Sequence, residues 1–435
     1  MSSETSLTFY NTLTKRRETF IPRSSQAVRL FTCGPSVYRR QHLGNYRTFL
    51  FEDLLQRYLE YRGYPVERAI NFTDVEDKAV EEAKAEGVTL EELTQPVIDE
   101  FLDTAAQLGI RLPEGEIPRA STSVEHAVDI IERLIARGHA YWHRGNVYYD
   151  PLTLPGFGTI FGLDMSKWPK KRYRFSRDTY EGLRWNRGDF ILWHGTREDD
   201  PFSWQTRLGR GRPAWNVQDP AMIAKTLGYE LDIHCGGIDN VYRHHDYNRA
   251  VMEGVSGSEF CHYWLHGEHL ILNGKKMSKS LGNVLYPGDL FDRGYSPEHV
   301  RFTLIYGHYR SQLNMTDTLL RRTGELLDDM TRTAKIATQP AEPKMGTAEA
   351  QRPRSLRPEA ESRRTDRVIE ELPQLFKLQM DNDLNVKAAV DDLQGILEDL
   401  RRRGALYGRT AEQATRIRRY LGEIDGVLGV LFPPG

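Results

Sequence analysis

Apolar positions near the start of the chain follow two different periods. Residues Val28 to Thr32 are apolar and β-prone, and Tyr46 to Arg62 carries apolar residues at helical spacing before Gly63. Val66 to Asn71 returns to a strand pattern. The helical face is formed by Phe51, Leu54, Leu55, Tyr58 and Leu59. Because a strand, a helix and a strand in this order open a parallel sheet, we predict half of a nucleotide-binding domain over residues 1–80.

The same alternation of strand and helix resumes only far downstream. Residues 81–137 are rich in Ala, Glu and Leu and predict helices, whereas 139–193 mixes aromatics, glycines and prolines like an irregular or β-rich segment. We interpret 81–210 as an insertion. From 211 to 337 the patterns predict strands at 231–234 and 263–272 and a helix at 239–252. The two halves are expected to form one Rossmann-like parallel sheet.

The last part of the chain has a different pattern. Residues 338–365 hold prolines, charges and almost no large apolar side chains, which predicts a linker. Residues 366–435 return to helical periodicity and suit a small helical bundle that the linker separates from the catalytic core. The predicted fold class is therefore α/β, with a split parallel sheet followed by a C-terminal α-helical bundle.

Composition restricts the class of protein. Of the 435 residues, 39% are hydrophobic and 28% charged, and no apolar run approaches the length of about 20 residues that a membrane helix needs. The N-terminus lacks a secretory pattern, and Cys33, Cys235 and Cys261 are too widely spaced for a disulfide framework. These features favour a cytoplasmic protein with reduced thiols. A net charge of −2 neither supports nor excludes a nucleic-acid partner.

Two short motifs carry candidate chemistry. His42-Leu43-Gly44-Asn45 lies where the first strand gives way to a helix, so its glycine permits close approach of phosphates to the helix N-terminus. Alone it is a weak signal, since such a histidine is commonly a helix cap. The sequence Lys275-Lys276-Met277-Ser278-Lys279-Ser280 supplies ammonium groups suited to a pyrophosphate leaving group. Its alternative interpretation is a basic surface loop.

Together the two motifs resemble the paired signatures of class I aminoacyl-tRNA synthetases, and further segments resemble the cysteinyl branch. These segments are Cys33-Gly34-Pro35-Ser36-Val37-Tyr38, Asn71-Phe72-Thr73-Asp74, Gly211-Arg212-Pro213-Ala214-Trp215, Asp232-Ile233-His234, His244-His245, His308-Tyr309-Arg310-Ser311 and Met380-Asp381-Asn382-Asp383. The similarity covers most of the chain. It implies an ATP-consuming ligase that forms an aminoacyl adenylate, with tRNA as the acyl acceptor.

The resemblance also implies roles for individual residues. His42, Asn45, Lys276 and Lys279 would be catalytic, contacting ATP phosphates or the transition state. ATP, with Mg²⁺ on its phosphates, would lie against Gly34, Gly44, Gly236, Gly237, Asp239, Lys276 and Lys279. The amino-acid pocket would be formed by Cys33, Tyr38, Thr73, Trp215, Asp219, His244 and Asn248. No side chain needs to act as a nucleophile, because the substrate carboxylate attacks the α-phosphate.

Two departures from the family pattern stand out. Asn45 replaces the second histidine of its motif and can still donate a hydrogen bond. The family holds zinc with two cysteines, a histidine and a glutamate, and the matching positions here are Cys33, Asp219, His244 and Asn248. An amide is a poor zinc ligand. With only Cys33, Asp219 and His244 as weak candidates, we expect no stoichiometric zinc. We interpret Cys235, His234 and His245 as structural.

Acceptor and partners are less determined by the sequence. The basic and aromatic run from Lys167 to Arg177 is equally compatible with a tRNA acceptor end and with a solvated loop. The family's anticodon-reading domain has no counterpart after the predicted bundle, which leaves open a paralogue that passes the adenylate to an amine of a small molecule or carrier protein. A regulator without catalysis is disfavoured by the lysine motif. We expect a monomer that binds ATP and an amino acid.

Overall fold

The computed structural model describes residues 5–167, 188–277, 282–342 and 358–432. The strands are β1 (Thr8–Asn11), β2 (Arg16–Thr19), β3 (Val28–Thr32), β4 (Val66–Ile70), β5 (Ala140–His143), β6 (Asn146–Tyr149), β7 (Phe190–Gly195), β8 (Trp204–Thr206), β9 (Gly209–Pro213), β10 (Leu231–Gly237), β11 (Cys261–Gly267), β12 (Leu270–Leu272), β13 (Lys275–Lys276) and β14 (Leu313–Met315). The helices are α1 (Leu43–Tyr61), α2 (Asp77–Glu86), α3 (Leu90–Gln107), α4 (Val124–Ala136), α5 (Trp215–Thr226), α6 (Asp246–Ser256), α7 (Pro287–Asp292), α8 (Pro297–Ile305), α9 (Asp317–Ala337), α10 (Pro358–Met380), α11 (Val386–Tyr407) and α12 (Ala411–Leu428).

A four-stranded parallel sheet joins the two halves of the chain. Its strand order is β11-β10-β3-β4, so β3 from the first half pairs directly with β10 from the second. The register places Leu30 opposite Ile233 and Thr32 opposite Cys235. Strands β3 and β10 are almost entirely buried, as expected for a parallel sheet covered on both faces. The predicted split Rossmann-like sheet is confirmed.

The segment between the two halves contains a second sheet. Five strands pair antiparallel in the order β5-β6-β7-β9-β8, with α4 and α5 packed beside them. Their core includes Trp193, which is fully buried. The aromatic residues of this segment therefore belong to a β-sheet with its own apolar core.

Several elements begin or end where the sequence did not place them. Helix α1 starts at Leu43 rather than Tyr46, because the side chain of His42 caps it. The single strand expected over 263–272 is two strands in different sheets, β11 and β12. Helix α10 begins at Pro358, inside the segment predicted as a linker, and a proline is well tolerated in a first helical turn.

The C-terminal helices share one hydrophobic core with the catalytic sheet. Buried residues of α1, α8, α9 and all three C-terminal helices belong to one cluster, represented by Leu54, Phe302, Leu327, Phe376, Leu393 and Leu421. The carboxylates after α10 also anchor the bundle. Asp381 accepts a hydrogen bond of 2.6 Å from Tyr58, and Asp383 accepts one of 2.6 Å from Tyr309. The packing therefore does not support a bundle separable from the catalytic core, since its apolar faces are covered by that core.

Arg301 in α8 is the clearest polar link between the sheet domain and the bundle. Its side chain is buried and donates hydrogen bonds to Asp53 Oδ2 at 2.7 Å and to the carbonyl oxygen of Leu428 at 2.7 Å. It also donates to the carbonyl oxygens of Leu108 and Gly109. One guanidinium thus joins α1, α12 and the end of α3. Among the described residues, no helix is long and apolar enough to cross a membrane.

Candidate active site

The motif residues gather at the carboxyl ends of β3 and β10. Cys33 follows β3 directly, and its backbone N–H donates to the carbonyl oxygen of Cys235 at 3.2 Å. Gly236 and Gly237 end β10 beside it. In open parallel sheets, ligands bind outside the carboxyl ends of the strands. This edge of the sheet is therefore the candidate site.

His42 and Asn45 form the N-terminal cap of α1. The backbone N–H of Asn45 donates to His42 Nδ1 at 3.3 Å, and the backbone N–H of His42 donates to Asn45 Oδ1 at 3.0 Å. This reciprocal arrangement is a capping box. It orients both side chains at the positive end of the α1 dipole, where an anion is favoured.

Gly34 lies against the backbone of the neighbouring strand. A Cβ atom at this position would overlap the carbonyl oxygen of Asn71 and lie 2.8 Å from its carbonyl carbon. The Asn71 side chain reinforces the contact, because its Oδ1 accepts the N–H of Gly34 at 2.9 Å. Only glycine fits here. The sequence motif contains Asn71, but its positioning role became visible only in the structure.

The histidine motif and the lysine motif meet through Met277. A Cβ atom on Gly44 would lie 3.0 Å from Met277 Cε, and Met277 is buried in the main core. Lys276 ends β13 and is exposed, and its carbonyl oxygen accepts a hydrogen bond of 3.1 Å from Asn283. Lys279 lies outside the described residues. The start of the lysine loop is thus packed against the start of α1.

Gly236 and Gly237 make the turn from β10 toward α6. A Cβ atom on Gly236 would lie 2.9 Å from His245 Cε1, and one on Gly237 would lie 2.6 Å from Asp239 Oδ1. Asp239 itself is exposed at the edge of the site. Both glycines therefore keep this edge open beside the Asp239 carboxylate.

Asp219 is the centre of a buried polar cluster next to Cys33. Its Oδ2 atom lies 2.7 Å from His244 Nε2, 3.4 Å from Asn248 Nδ2 and 3.5 Å from Cys33 Sγ. Its Oδ1 atom accepts a hydrogen bond of 3.1 Å from Asn71 Nδ2. The structure thus brings together the four positions that the sequence matched to a zinc site.

The remaining predicted pocket residues are Trp215, Thr73 and Tyr38. The Trp215 ring stacks on the His244 ring with centroids 4.1 Å apart and planes 15° from parallel. Thr73 Oγ1 accepts a hydrogen bond of 3.2 Å from Asn71, so Thr73 joins the cluster indirectly. Tyr38 is half-buried on the loop after β3, beneath the Arg39 guanidinium. Among these contacts, the Trp215 stack is the one that directly restrains a cluster side chain.

Burial and charge set the protonation states of the cluster. Burial by itself raises the pKa of the Asp219 carboxyl, but the interactions with His244, His234 and Cys33 together outweigh it, and the net pKa lies below its usual value. Burial, together with the Asp219 charge, raises the pKa of the Cys33 thiol well above its usual value. The cluster at neutral pH therefore pairs an ionised carboxylate with a protonated thiol.

Behind Cys33 runs a chain of buried histidines, of which His245 was interpreted from the sequence as structural and His266 was not singled out. His245 Nε2 lies 3.1 Å from Cys33 Sγ, and His245 Nδ1 lies 2.7 Å from His266 Nε2. His266 Nδ1 in turn lies 2.8 Å from Thr12 Oγ1. Burial lowers the pKa of His266 to about 3 and that of His234 to about 3. These imidazoles are therefore neutral. The signal in the sequence for the position of this chain was the double histidine at 244–245.

The donor atoms of the four matched positions are poorly suited to binding zinc. Asn248 offers an amide, whose Nδ2 group donates a hydrogen bond to Asp219. A metal ion at that place would need an atom that donates an electron pair, which an amide NH₂ group does not do. Among the described residues, Cys33, His244 and His245 place one donor atom each within 4.8 Å of one another. That second set contains three donors, one of which already contacts another at 3.1 Å. The donor set of the four matched positions therefore fits zinc poorly.

With this geometry in place, comparison with known proteins defines the class. The family described as tRNA synthetases class I (C) catalytic domain matches residues 19–325. The chain belongs to this family of class I aminoacyl-tRNA synthetases, and it is a ligase.

Relatives identify the branch within that class. The chain is 39% identical over 324 residues to a cysteine--tRNA ligase of Brachyspira hyodysenteriae, covering 74% of this chain and 68% of the relative. It is 35% identical over 436 residues to the cysteine--tRNA ligase of Chlamydia muridarum, covering 98% and 88%. The resemblance to the cysteinyl branch is confirmed.

Solved structures agree on the fold. Methionyl-tRNA synthetase of Mycobacterium tuberculosis, bound by methionyl-adenylate, superposes with a TM-score of 0.63 at 13% identity, covering 93% of this chain and 90% of that one. A complex of the Agrobacterium radiobacter K84 agnB2 LeuRS gives a TM-score of 0.64 at 11% identity, covering 95% and 85%. At these identities the likeness concerns the fold alone.

Proposed function

We propose that this ligase activates an amino acid with ATP and transfers the acyl group to tRNA. In the first step, the substrate carboxylate attacks the α-phosphate, the bond to the bridging oxygen breaks, and pyrophosphate leaves. In the second, a terminal ribose hydroxyl of tRNA attacks the acyl carbon and AMP leaves. Membership of the cysteine--tRNA ligase branch supports both steps and does not favour transfer to a small-molecule amine.

The observation that carries the proposal is the contact between the two motif loops. Met277 of the lysine motif packs against Gly44 of the histidine motif, so charged groups of both loops can face one triphosphate. This contact brings the start of α1 close to the residue that follows β13. Catalysis of this kind depends on position and charge complementarity rather than on a protein nucleophile.

Individual roles follow from this placement. His42 and Asn45 bind phosphate oxygens at the α1 N-terminus, and Mg²⁺ carried by the nucleotide would supply further positive charge there. Lys276 and Lys279 stabilise the charge that develops on the leaving pyrophosphate. Gly34 and Gly44 allow the nucleotide to approach the backbone. The ribose lies against Gly236, Gly237 and Asp239, and the amino-acid side chain points toward Asp219.

Pyrophosphate exchange against a panel of amino acids, followed by acyl transfer to total tRNA, tests the proposal. Lys276→Ala is expected to lower the exchange rate by about 10²–10³-fold, since one charge-stabilising donor is lost from the transition state. Its melting temperature should stay near wild type because Lys276 is exposed.

Lys275→Ala is the matched control. Lys275 is also exposed and precedes Lys276 in β13, so the two side chains leave opposite faces of the strand. This control should retain most of the exchange rate. Equal losses in both variants, or exchange without any charged tRNA, would contradict the proposed roles and the proposed acceptor respectively.

A further inference from the structure

The polar cluster around Asp219 is organised by one carboxylate oxygen. Asp219 Oδ2 contacts nitrogen or sulfur atoms of His244, Asn248 and Cys33 at 2.7, 3.4 and 3.5 Å. An ionised carboxylate only accepts hydrogen bonds, so each of these three partners must donate. Asp219 is therefore the anion that all three side chains contact, and each of them directs a proton toward its carboxylate.

This orientation determines which atoms are left for a substrate. His244 carries a proton on Nε2, and Asn248 directs its NH₂ group to Asp219, so His244 Nδ1 and Asn248 Oδ1 remain. Neither atom has a hydrogen-bond partner among the described residues, and both are buried. The tautomer that carries its proton on Nε2 presents Nδ1 as an acceptor, and the amide oxygen is a second acceptor. Buried acceptors without partners are costly, so a ligand that donates to them is favoured.

The two acceptors are held in place rather than adaptable. The His244 ring is fixed by the Trp215 stack on its face and by Asp219 at its edge. Asn248 lies in the first turn of α6 and is fully buried. Both side chains contact the same oxygen of Asp219 through a nitrogen atom, so the two acceptors belong to neighbouring side chains of one cluster. A substrate group that reaches this cluster therefore meets acceptors.

We propose that this pocket selects an amino acid with a short side chain ending in an O–H or N–H donor, without a zinc ion. The inference rests on the proposed function and names its substrate class. Serine offers one such donor, and 2,3-diaminopropionate offers an ammonium with three donors that the Asp219 charge also attracts. A thiol is a weak donor, and a thiolate would be repelled by the Asp219 carboxylate.

The rival assignment is a metal held by Cys33, His244 and His245. Their donor atoms lie within 4.8 Å of one another. However, the second nitrogen of His245 already contacts His266, and Cys33 Sγ lies at hydrogen-bond distance from both His245 and Asp219. Cys33 Sγ, both His245 nitrogens and His244 Nε2 thus have protein partners, which leaves His244 Nδ1 as the nitrogen of this set without a partner among the described residues.

Two measurements on the full chain test the inference. Elemental analysis of protein purified without chelator should find far less than one zinc per chain. Pyrophosphate exchange should favour serine or 2,3-diaminopropionate over alanine and cysteine by about a hundredfold or more in kcat/KM, because the site's acceptors stay unpaired with the others. Comparing the first two substrates distinguishes hydroxyl from amine recognition.

A rebuilt pocket provides the matched comparison. Asp219→Cys combined with Asn248→Glu supplies, with Cys33 and His244, two thiolates, an imidazole and a carboxylate, which is a good zinc donor set. This double variant should gain about one zinc per chain and a preference for cysteine. Asn248→Leu alone should raise KM for the preferred substrate by a larger factor than KM for alanine, because it removes an acceptor that alanine cannot use.

Three results would overturn the inference. About one zinc per wild-type chain with cysteine as the preferred substrate is the first, and loss of that zinc on His245→Gln would establish the rival ligand set. The second is equal use of alanine and serine. If no amino acid supports exchange, the proposed function fails instead. In that case the inference is still tested by the zinc content and by calorimetric binding of the same amino acids. The third overturning result is that cysteine binds more tightly than serine and 2,3-diaminopropionate.

Discussion

Replacing the buried Arg301 by methionine should show that the C-terminal bundle is part of the catalytic domain's fold. The Arg301 side chain is 1% exposed and Asp53 is 0% exposed. Methionine supplies an apolar side chain of similar length, but the substitution removes the cation that links α8 to α1 and to the end of α12.

The expected loss follows from what is left behind. Breaking a buried ion pair by removing one partner costs about 3–5 kcal/mol. Asp53 keeps a second partner, Arg57 Nε at 2.8 Å, and the backbone N–H of Arg111 at 2.9 Å. The carbonyl oxygens of Leu428, Leu108 and Gly109 lose their donor as well. We therefore expect a loss of about 3 kcal/mol or more in the free energy of unfolding.

Urea unfolding followed by circular dichroism measures this loss, with Arg293→Met as control. Arg293 pairs with Asp317 at the surface, where the two side chains are 43% and 81% exposed, so its removal should cost less than about 1 kcal/mol. The double variant Asp53→Asn with Arg301→Met should cost less than the sum of the single ones. A loss for Arg301→Met no larger than that of the control would refute the assigned role of this residue.

Three further predictions follow from local contacts. Gly34→Ala should destabilise the fold by about 1–3 kcal/mol or more in urea unfolding and abolish exchange, because its Cβ would overlap the Asn71 backbone. A Cβ atom on Gly44 would meet side-chain atoms, Met277 Cε at 3.0 Å and the His42 ring at 3.1 Å, so Gly44→Ala should leave stability within about 1 kcal/mol while displacing His42 and lowering the exchange rate. Burial raises the pKa of Glu52 to about 8 from 4.5, so the native chain holds a proton that the unfolded chain releases, and stability should fall as pH rises between these values. Glu52→Gln should flatten that decline in urea midpoints measured from pH 5 to pH 8; an unchanged slope would contradict it.

The parallel sheet could be predicted from the sequence because its strands are short, apolar and β-rich. The apolar pattern of Val28 to Thr32 and of Leu231 to His234 depends only on residues next to one another in the sequence. Other features depend on distant contacts. Helix α1 begins at Leu43 rather than at the predicted Tyr46 because the His42 side chain caps it there. Residues 263–272 form two strands because β12 pairs with β14, far downstream in the chain. Local periodicity carries neither effect.

The sequence indicated which side chains lie close together at the candidate site, but not how they are arranged. The matched positions of Cys33, Asp219, His244 and Asn248 came from the family resemblance, and the structure brings them together. That one oxygen of Asp219 accepts from the other three could not be read from motif spacing, because it depends on rotamers and on Asn71 holding the second oxygen. The position of His245 behind Cys33 likewise required the packing of β10 against α6.

The split sheet has a consequence for synthesis of the chain on the ribosome. Strand β3 is buried between β4 and β10 in the native sheet, yet β10 lies beyond the whole insertion. At about 5–20 residues per second, the edge of β3 waits on the order of ten seconds or more for its partner. An apolar strand edge left open for that time can pair with another nascent chain. The N-terminal half is therefore the part of this enzyme that most needs chaperone protection during translation.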